Sequence, residues 1–416
     1  MSGNLAGGHG AGTAPWPLDD AVRRGPDLAG EASSDLSAGT VTGPLRIVQM
    51  IDRLERPGGA EALMVTLAEA LRHQPVKLTF VTIKPSDPGM IREIEKLGAD
   101  VVPFTASKLV HPARFAELCR FLGRQGIDLI HTHLTGATIL GALAGAWTRI
   151  PVVTTIHNTV FRADRHLYHG RLECWLLRHV VREVIGVGRE TARITRTRLK
   201  GRDVLALANA VCEAPVLDQG QQARLRAEMG MSPERKDGVL LVWAGRMTEQ
   251  KGLPDLLAAF TKLSRTHPHV HLALAGDGDL ADGLRSRAEV HGITDRVSFL
   301  GLRTDVPSLF AAADLYVSSS HWEGFPVATL EAMAAGLPVV ATAVGDVPTI
   351  LEGDVGIILP PHRPDLLTDS LAQVIDDVPL RHLLGHRAKA RIDRDYRANA
   401  WAEAHLNLYR RVLIRT

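Results

Sequence analysis

Two glutamates stand eight residues apart in "HWEGFPVATLEAMAAGLPVVAT" (321–342): Glu323 in a turn broken by Gly324 and Pro326, Glu331 inside a helical stretch. Eight helical residues rise about 12 Å, which matches the reach from a sugar ring past a diphosphate to a ribose. Free N–H groups at a helix start attract anions, so the Gly324 and Phe325 amides would meet the anionic middle of such a ligand. Carboxylates accept well from paired hydroxyls. Glu323 would then hold sugar hydroxyls and Glu331 ribose hydroxyls. The competing reading is two solvated helix glutamates, which the apolar neighbours Phe325, Val327, Ala328 and Leu330 disfavour.

A second chemical stretch, "WAGRMTEQKGLPDLLAAF" (243–260), places Arg246 and Lys251 between an apolar run and a helix start marked by Pro254. Two cations beside free helix N–H groups make an anion site; two solvated surface charges are the alternative. In "PGGAEALMVTLAEAL" (57–71), Gly58 and Gly59 let backbone approach a ligand closely. That stretch has neither a full dinucleotide fingerprint nor a Walker lysine. His131, His133 and His157 close apolar runs, either as packed or capping residues or as groups facing a cleft on the acceptor side. Asp277 and Asp279 form an Asp-x-Asp pair that reads as a strand-to-helix turn, so no metal is expected. No GxSxG nucleophile elbow occurs.

These groups need a scaffold that collects them. From Leu45 on, short β-branched runs alternate with helical stretches: 45–51, 76–83, 100–104, 128–133, 151–158, 183–188 and 203–211. A polar stretch, 218–238, interrupts them. A second series follows at 238–246, 270–278, 296–302, 313–320, 337–345 and 355–361. Near-continuous apolar strands alternating with helices imply parallel sheets covered on both faces. The fold class is therefore α/β, with two tandem Rossmann-like doubly wound domains, 44–217 and 218–394, facing a deep cleft. A C-terminal helix within 395–416 would cross back to the first domain. Ligands in such sheets bind beyond the carboxyl ends of the strands, where the groups named above fall.

Composition bounds the rest. The 416 residues are 45% hydrophobic and 23% charged, with a net charge of +2, which gives bulk nucleic-acid binding no support. Three separated cysteines, Cys119, Cys174 and Cys212, offer neither zinc spacing nor a disulfide framework and fit a reducing cytosol. Residues 1–43 carry nine of the 38 glycines, read as a disordered lead-in with no apolar signal core. The stretch 129–147 holds two histidines and reads as strand plus helix, not as a bilayer span. A basic segment, 162–202, sets eleven Lys and Arg against four acids. It is a solvated basic face, or a docking surface for an anionic membrane at the inner face of the plasma membrane.

Taken together, "GGAE", "TIHN", "GRMTEQKG", "FLGLRTDVP" and above all "EGFPVATLE" followed by "AMAAGLPVVAT" resemble the retaining GT-B glycosyltransferases of family 4 and their E-x7-E signature. The resemblance implies that Arg246 and Lys251 bind the donor diphosphate and stabilise its leaving charge. Glu323, with the Gly324 and Phe325 amides, would hold the donor sugar, and Glu331 the ribose. His157 would contact the sugar near the reacting carbon. Gly58 and Gly59 would close over the phosphates, and Leu302 and Arg303 would bracket the base. Two motifs depart from the family: "NAVCE" (209–213) for NGVD, and "GDVPT" (345–349) for GGxxE. The expected activity is metal-independent sugar transfer, with retention, from a nucleotide-diphosphate donor (UDP by family frequency). The acceptor would be a sugar, a lipid-linked molecule or a small molecule, in bacterial polysaccharide or glycolipid biosynthesis. An epimerase-like enzyme and a catalytically idle binding protein of the same fold are the alternatives.

Overall fold

The computed structural model describes residues 43–56, 58–105, 111–158, 167–231 and 238–414. The lead-in expected at 1–43 lies outside them, apart from Gly43. Each apolar run forms a strand. The first sheet holds β1 (Leu45–Ile51), β2 (Val76–Thr82), β3 (Asp100–Pro103), β4 (Leu129–His133), β5 (Val152–Ile156), β6 (Glu183–Gly186) and β7 (Leu205–Ala206), in the order β3-β2-β1-β4-β5-β6-β7. The second holds β8 (Val239–Ala244), β9 (Val270–Ala275), β10 (Val297–Gly301), β11 (Leu315–Ser318), β12 (Val339–Thr342) and β13 (Ile357–Leu359), in the order β10-β9-β8-β11-β12-β13. Every pairing within both sheets is parallel.

Helices cover both faces, so strand residues such as Ile47, Phe80, Leu241, Val242 and Val317 are fully buried. This explains why the strands read as unbroken apolar runs and do not alternate. Strand order reverses between β1 and β4 in the first sheet and between β8 and β11 in the second. Those are the switch points where open α/β sheets leave a crevice.

The stretch 129–147 is β4 followed by the helix Thr135–Thr148. No helix among the described residues is long and apolar enough to cross a membrane. In the polar connection, Asp218 and Gln221 form a capping box that opens the helix Gln219–Glu228. The C-terminal helix Ala398–Ile414 returns to the first sheet, and its Trp401, Leu406, Tyr409 and Val412 share a core with Leu63, Met64 and Leu67. Where the chain recrosses, Val211 N donates to Tyr396 O and Ala398 N to Val211 O, both at 3.0 Å.

Candidate active site

The loops after β8 and β11 flank the second switch point and hold the densest chemistry. Lys251 Nζ lies 2.6 Å from Glu323 Oε1. Ser320 Oγ donates to the same oxygen at 2.7 Å, and Gln250 Nε2 reaches Glu323 Oε2 at 3.2 Å. Gly252 fixes this packing: its φ is +59°, and a Cβ there would stand 2.0 Å from Ser319 O. Only glycine lets the Lys251 loop press against the β11 loop.

Gly324 does the same between domains, since a Cβ would meet the His157 carbonyl oxygen at 2.3 Å. The Glu323 loop therefore lies directly on the end of β5. Arg246, Lys251, Glu323, Gly324, Phe325, Glu331, His157, Gly58, Gly59 and Arg303 all line one cleft of about 1990 Å³. Ten residues scattered through the sequence thus share one space.

Several take up local positions that sequence could not show. Phe325 turns its ring into the core beside Tyr396, leaving its backbone for the cleft. Arg303 is held by Asp305 at 2.7 and 2.8 Å and by Glu228 at 3.1 Å. Leu302 is 56% exposed and does not line the cleft. Burial pushes the Glu331 carboxyl up to about 7, against the pull of the Arg56 guanidinium.

His131 and His133 do not face the cleft either; they are buried behind it. Both belong to a chain of hydrogen bonds anchored on the C-terminal helix. Burial drives His131, His133 and His157 below the usual histidine range, His157 to about 4, so all three rings are neutral. A neutral ring has one donor and one acceptor nitrogen. With the Gln49 amide as oriented, Gln49 Nε2 donates to the Tyr409 hydroxyl at 3.0 Å, which donates to His131 Nδ1 at 2.7 Å. His131 Nε2 then donates to Thr155 Oγ1 at 2.8 Å. His133 Nε2 donates to Gln49 Oε1 at 2.8 Å and receives the Nε2 proton of His157 at Nδ1, 3.0 Å away. His157 is left with Nδ1 as a proton acceptor. His133, itself held by Gln49, positions His157.

Three groups escaped the sequence reading. Glu61, in the first turn of the helix Gly59–Leu71, lines the cleft, and burial raises its carboxyl pKa although the Arg246 charge opposes it. Its signal was present in "GGAE". Tyr316, at the base of the cleft, is likewise raised by burial. Asp346, at the departure "GDVPT", crosses to the first domain, where Glu190 N donates to its Oδ1 at 3.1 Å. Burial lifts its carboxyl to about 6.

Residues 57–211 match the profile of Glycosyltransferase Family 4, and residues 227–391 that of Glycosyl transferases group 1. Both halves of the chain thus match glycosyltransferase families, and its fold is that of the GT-B glycosyltransferases. A phosphatidyl-myo-inositol mannosyltransferase of Mycolicibacterium smegmatis is 27% identical over 357 residues, 81% of this chain and 86% of that protein. An N-acetyl-alpha-D-glucosaminyl L-malate synthase of Bacillus anthracis is 28% identical over 313 residues, 72% of this chain and 78% of that one. Among solved structures, HepE of Anabaena in complex with UDP-glucose superposes with a TM-score of 0.76 at 22% identity, covering 87% of this chain and 99% of HepE. That likeness is one of fold. In this glycosyltransferase the first profile spans β2 to β7 and the second β8 to β13, and the cleft lies where both sheets present their strand ends.

Proposed function

We propose that this glycosyltransferase moves a sugar from a nucleotide-diphosphate donor, UDP in the first instance, to an acceptor hydroxyl with retention and without a metal. The carrying observation is the Lys251–Glu323 pair at the second switch point, with Arg246 lining the same cleft and His157 across the interface. The diphosphate would displace Glu323 from Lys251. Lys251 and Arg246 would then stabilise the charge that develops on the leaving phosphate, freeing Glu323 to accept from sugar hydroxyls. His157 Nδ1, an acceptor, suits a hydroxyl donor on the sugar. Acceptor attack on the same face, with its proton passing to the departing phosphate oxygen, needs only this positioning. UDP in HepE supports the base assignment.

Hydrolysis of a panel of nucleotide sugars by the purified protein, with the product anomer read by NMR, tests the reading. One donor should turn over with retained configuration, and turnover should persist in EDTA. An inverted anomer, or turnover that returns only with manganese, would overturn the mechanism. Product formed without an acceptor or water would indicate the epimerase-like alternative.

The helix Leu167–His179 supports a lipid-linked acceptor in envelope polysaccharide or glycolipid synthesis. It exposes Trp175 and Leu172 beside Arg171 and Arg178, an apolar and basic face at the cleft rim. The phosphatidyl-myo-inositol mannosyltransferase relative fits such an acceptor. Binding to anionic liposomes at low salt, released by added salt, is expected. Equal failure with anionic and neutral liposomes would point to a soluble acceptor.

A further inference from the structure

Outside the cleft, Asp255, His321 and His362 bring one carboxylate and two imidazoles together from one helix start and two loops. Asp255 lies in the first turn of the helix Leu253–Thr266. His321 and His362 each follow a strand end, β11 and β13, by three residues. His321 Nε2 stands 2.9 Å from Asp255 Oδ2, and His362 Nδ1 stands 3.8 Å from the same oxygen. All three donor atoms lie within 4.8 Å of one another, a convergence of His, Cys, Asp or Glu seen nowhere else among the described residues. None of the three lines the cleft.

With bonds of about 2.0–2.2 Å, neighbouring donor atoms around a tetrahedral zinc stand about 3.3 Å apart. The two measured separations bracket that value. His321 and Asp255 would satisfy each other as a simple hydrogen-bonded pair. His362 is the feature such a pair leaves unexplained. Its ring lies against His321, tilted by 35° with centroids 3.9 Å apart, and its Nδ1 stands 3.8 Å from the shared oxygen, beyond hydrogen-bond reach. An ion seated among the three atoms would use it.

We propose that Asp255, His321 and His362 bind a divalent transition-metal ion of the zinc class, with a remaining coordination position open to water. Two imidazoles and one carboxylate favour zinc, cobalt, nickel or copper over magnesium or calcium. The His362 side chain is 65% exposed, so the open position faces solvent. The ion is a clamp and takes no part in the chemistry. His321 N donates to Gln250 O at 2.8 Å, and Gln250 Nε2 holds Trp322 O at 3.0 Å and Glu323. Fixing His321 to Asp255 and His362 therefore steadies the loop that carries Glu323.

The experiment uses the tag-free, chelator-stripped full chain, titrated with zinc by calorimetry and with cobalt by visible absorption. One ion per chain is expected, with a rise in melting temperature. His362→Ala, at an exposed position, and Asp255→Asn should each abolish the ion site and the temperature rise while leaving the circular dichroism unchanged. His382 and His386, exposed and one turn apart on the helix Val378–Asp395, are the internal control. The His382→Ala/His386→Ala variant should keep the ion. Zinc binding that survives His362→Ala, that vanishes with the control pair, or that never occurs would overturn the proposal.

Discussion

Lys251 and Glu323 neutralise each other at 2.6 Å, so changing one alters what the other can do. Glu323→Ala frees Lys251 for phosphate, and UDP affinity should hold or tighten while sugar transfer falls. On the proposed reading, in which Glu331 accepts from the ribose hydroxyls, Glu331→Ala removes that acceptor instead. Losing such a bond costs about 1.5–3 kcal/mol, so UDP affinity should drop roughly tenfold to a hundredfold. Calorimetry separates the two, and equal losses would end the division of labour. Glu331 also carries a pH signature. Its carboxyl binds a proton more readily folded than unfolded, because burial raises its pKa from 4.5 to about 7. Its contribution to stability is complete below the unfolded value and is lost as pH rises through about 7. Glu331→Gln should therefore stabilise the protein by about 1–3 kcal/mol near pH 8 and by little near pH 4. Denaturant midpoints across that range check it, and a uniform shift would mean that the carboxyl is well solvated.

The helix Ala398–Ile414 reaches His157 of the candidate site through a relay of side chains. Tyr409 holds Gln49 and His131, and Gln49 in turn orients His133 against His157. Tyr409→Phe keeps the ring but leaves buried polar groups unpaired, at a cost of about 1–3 kcal/mol. Urea denaturation should show that loss, and steady-state kinetics should show a raised KM for the donor as His157 loses its fixed tautomer. Unchanged stability would mean that Gln49 and His131 satisfy each other without the hydroxyl. This chain also marks the limit of what sequence could tell. The strands were legible because burial on both faces makes them continuous apolar runs, as in "LRIVQMI" and "VLLVWA". Arg246, Lys251 and Glu323 were legible because they sit in the loops that leave β8 and β11 at the switch point. His131 and His133 looked like cleft residues because they end β4, yet both side chains sit in the buried layer. Gln49 and Tyr409 are 360 positions apart, and no local pattern announces such a pair. Asp346 read as a defect in a glycine motif because its partner, the helix Arg189–Arg198, belongs to the other domain.

At the scale of the molecule, the site exists only while the two sheets meet. Glu323 and Lys251 come from one, His157 and Gly58 from the other, and close contacts join them. One is Asp346, which receives Glu190 N at the start of the helix Arg189–Arg198. Facing it is Gly188, at a φ of −176° that any residue can adopt. Alanine there would strain nothing in its own backbone, but its Cβ would lie 2.1 Å from Asp346 Oδ2 and 2.6 Å from the Phe325 ring. Gly188→Ala should therefore act as a wedge between domains while each domain keeps its own core. Transfer needs groups from both sides and should fall steeply. On the proposed reading UDP would be held mainly by the second domain, through Lys251, Arg246 and Glu331, so its binding should change little. Adding Asp346→Ala removes the two nearest atoms that the new methyl would strike. The double variant should recover transfer relative to Gly188→Ala alone, although it lacks the helix cap, whose loss costs about 0.5–2 kcal/mol. X-ray scattering should show Gly188→Ala as the more expanded protein and the double variant as partly compacted, the Phe325 contact remaining. If the losses of the two changes simply add, Gly188 and Asp346 act independently, and the contact does not hold the domains together.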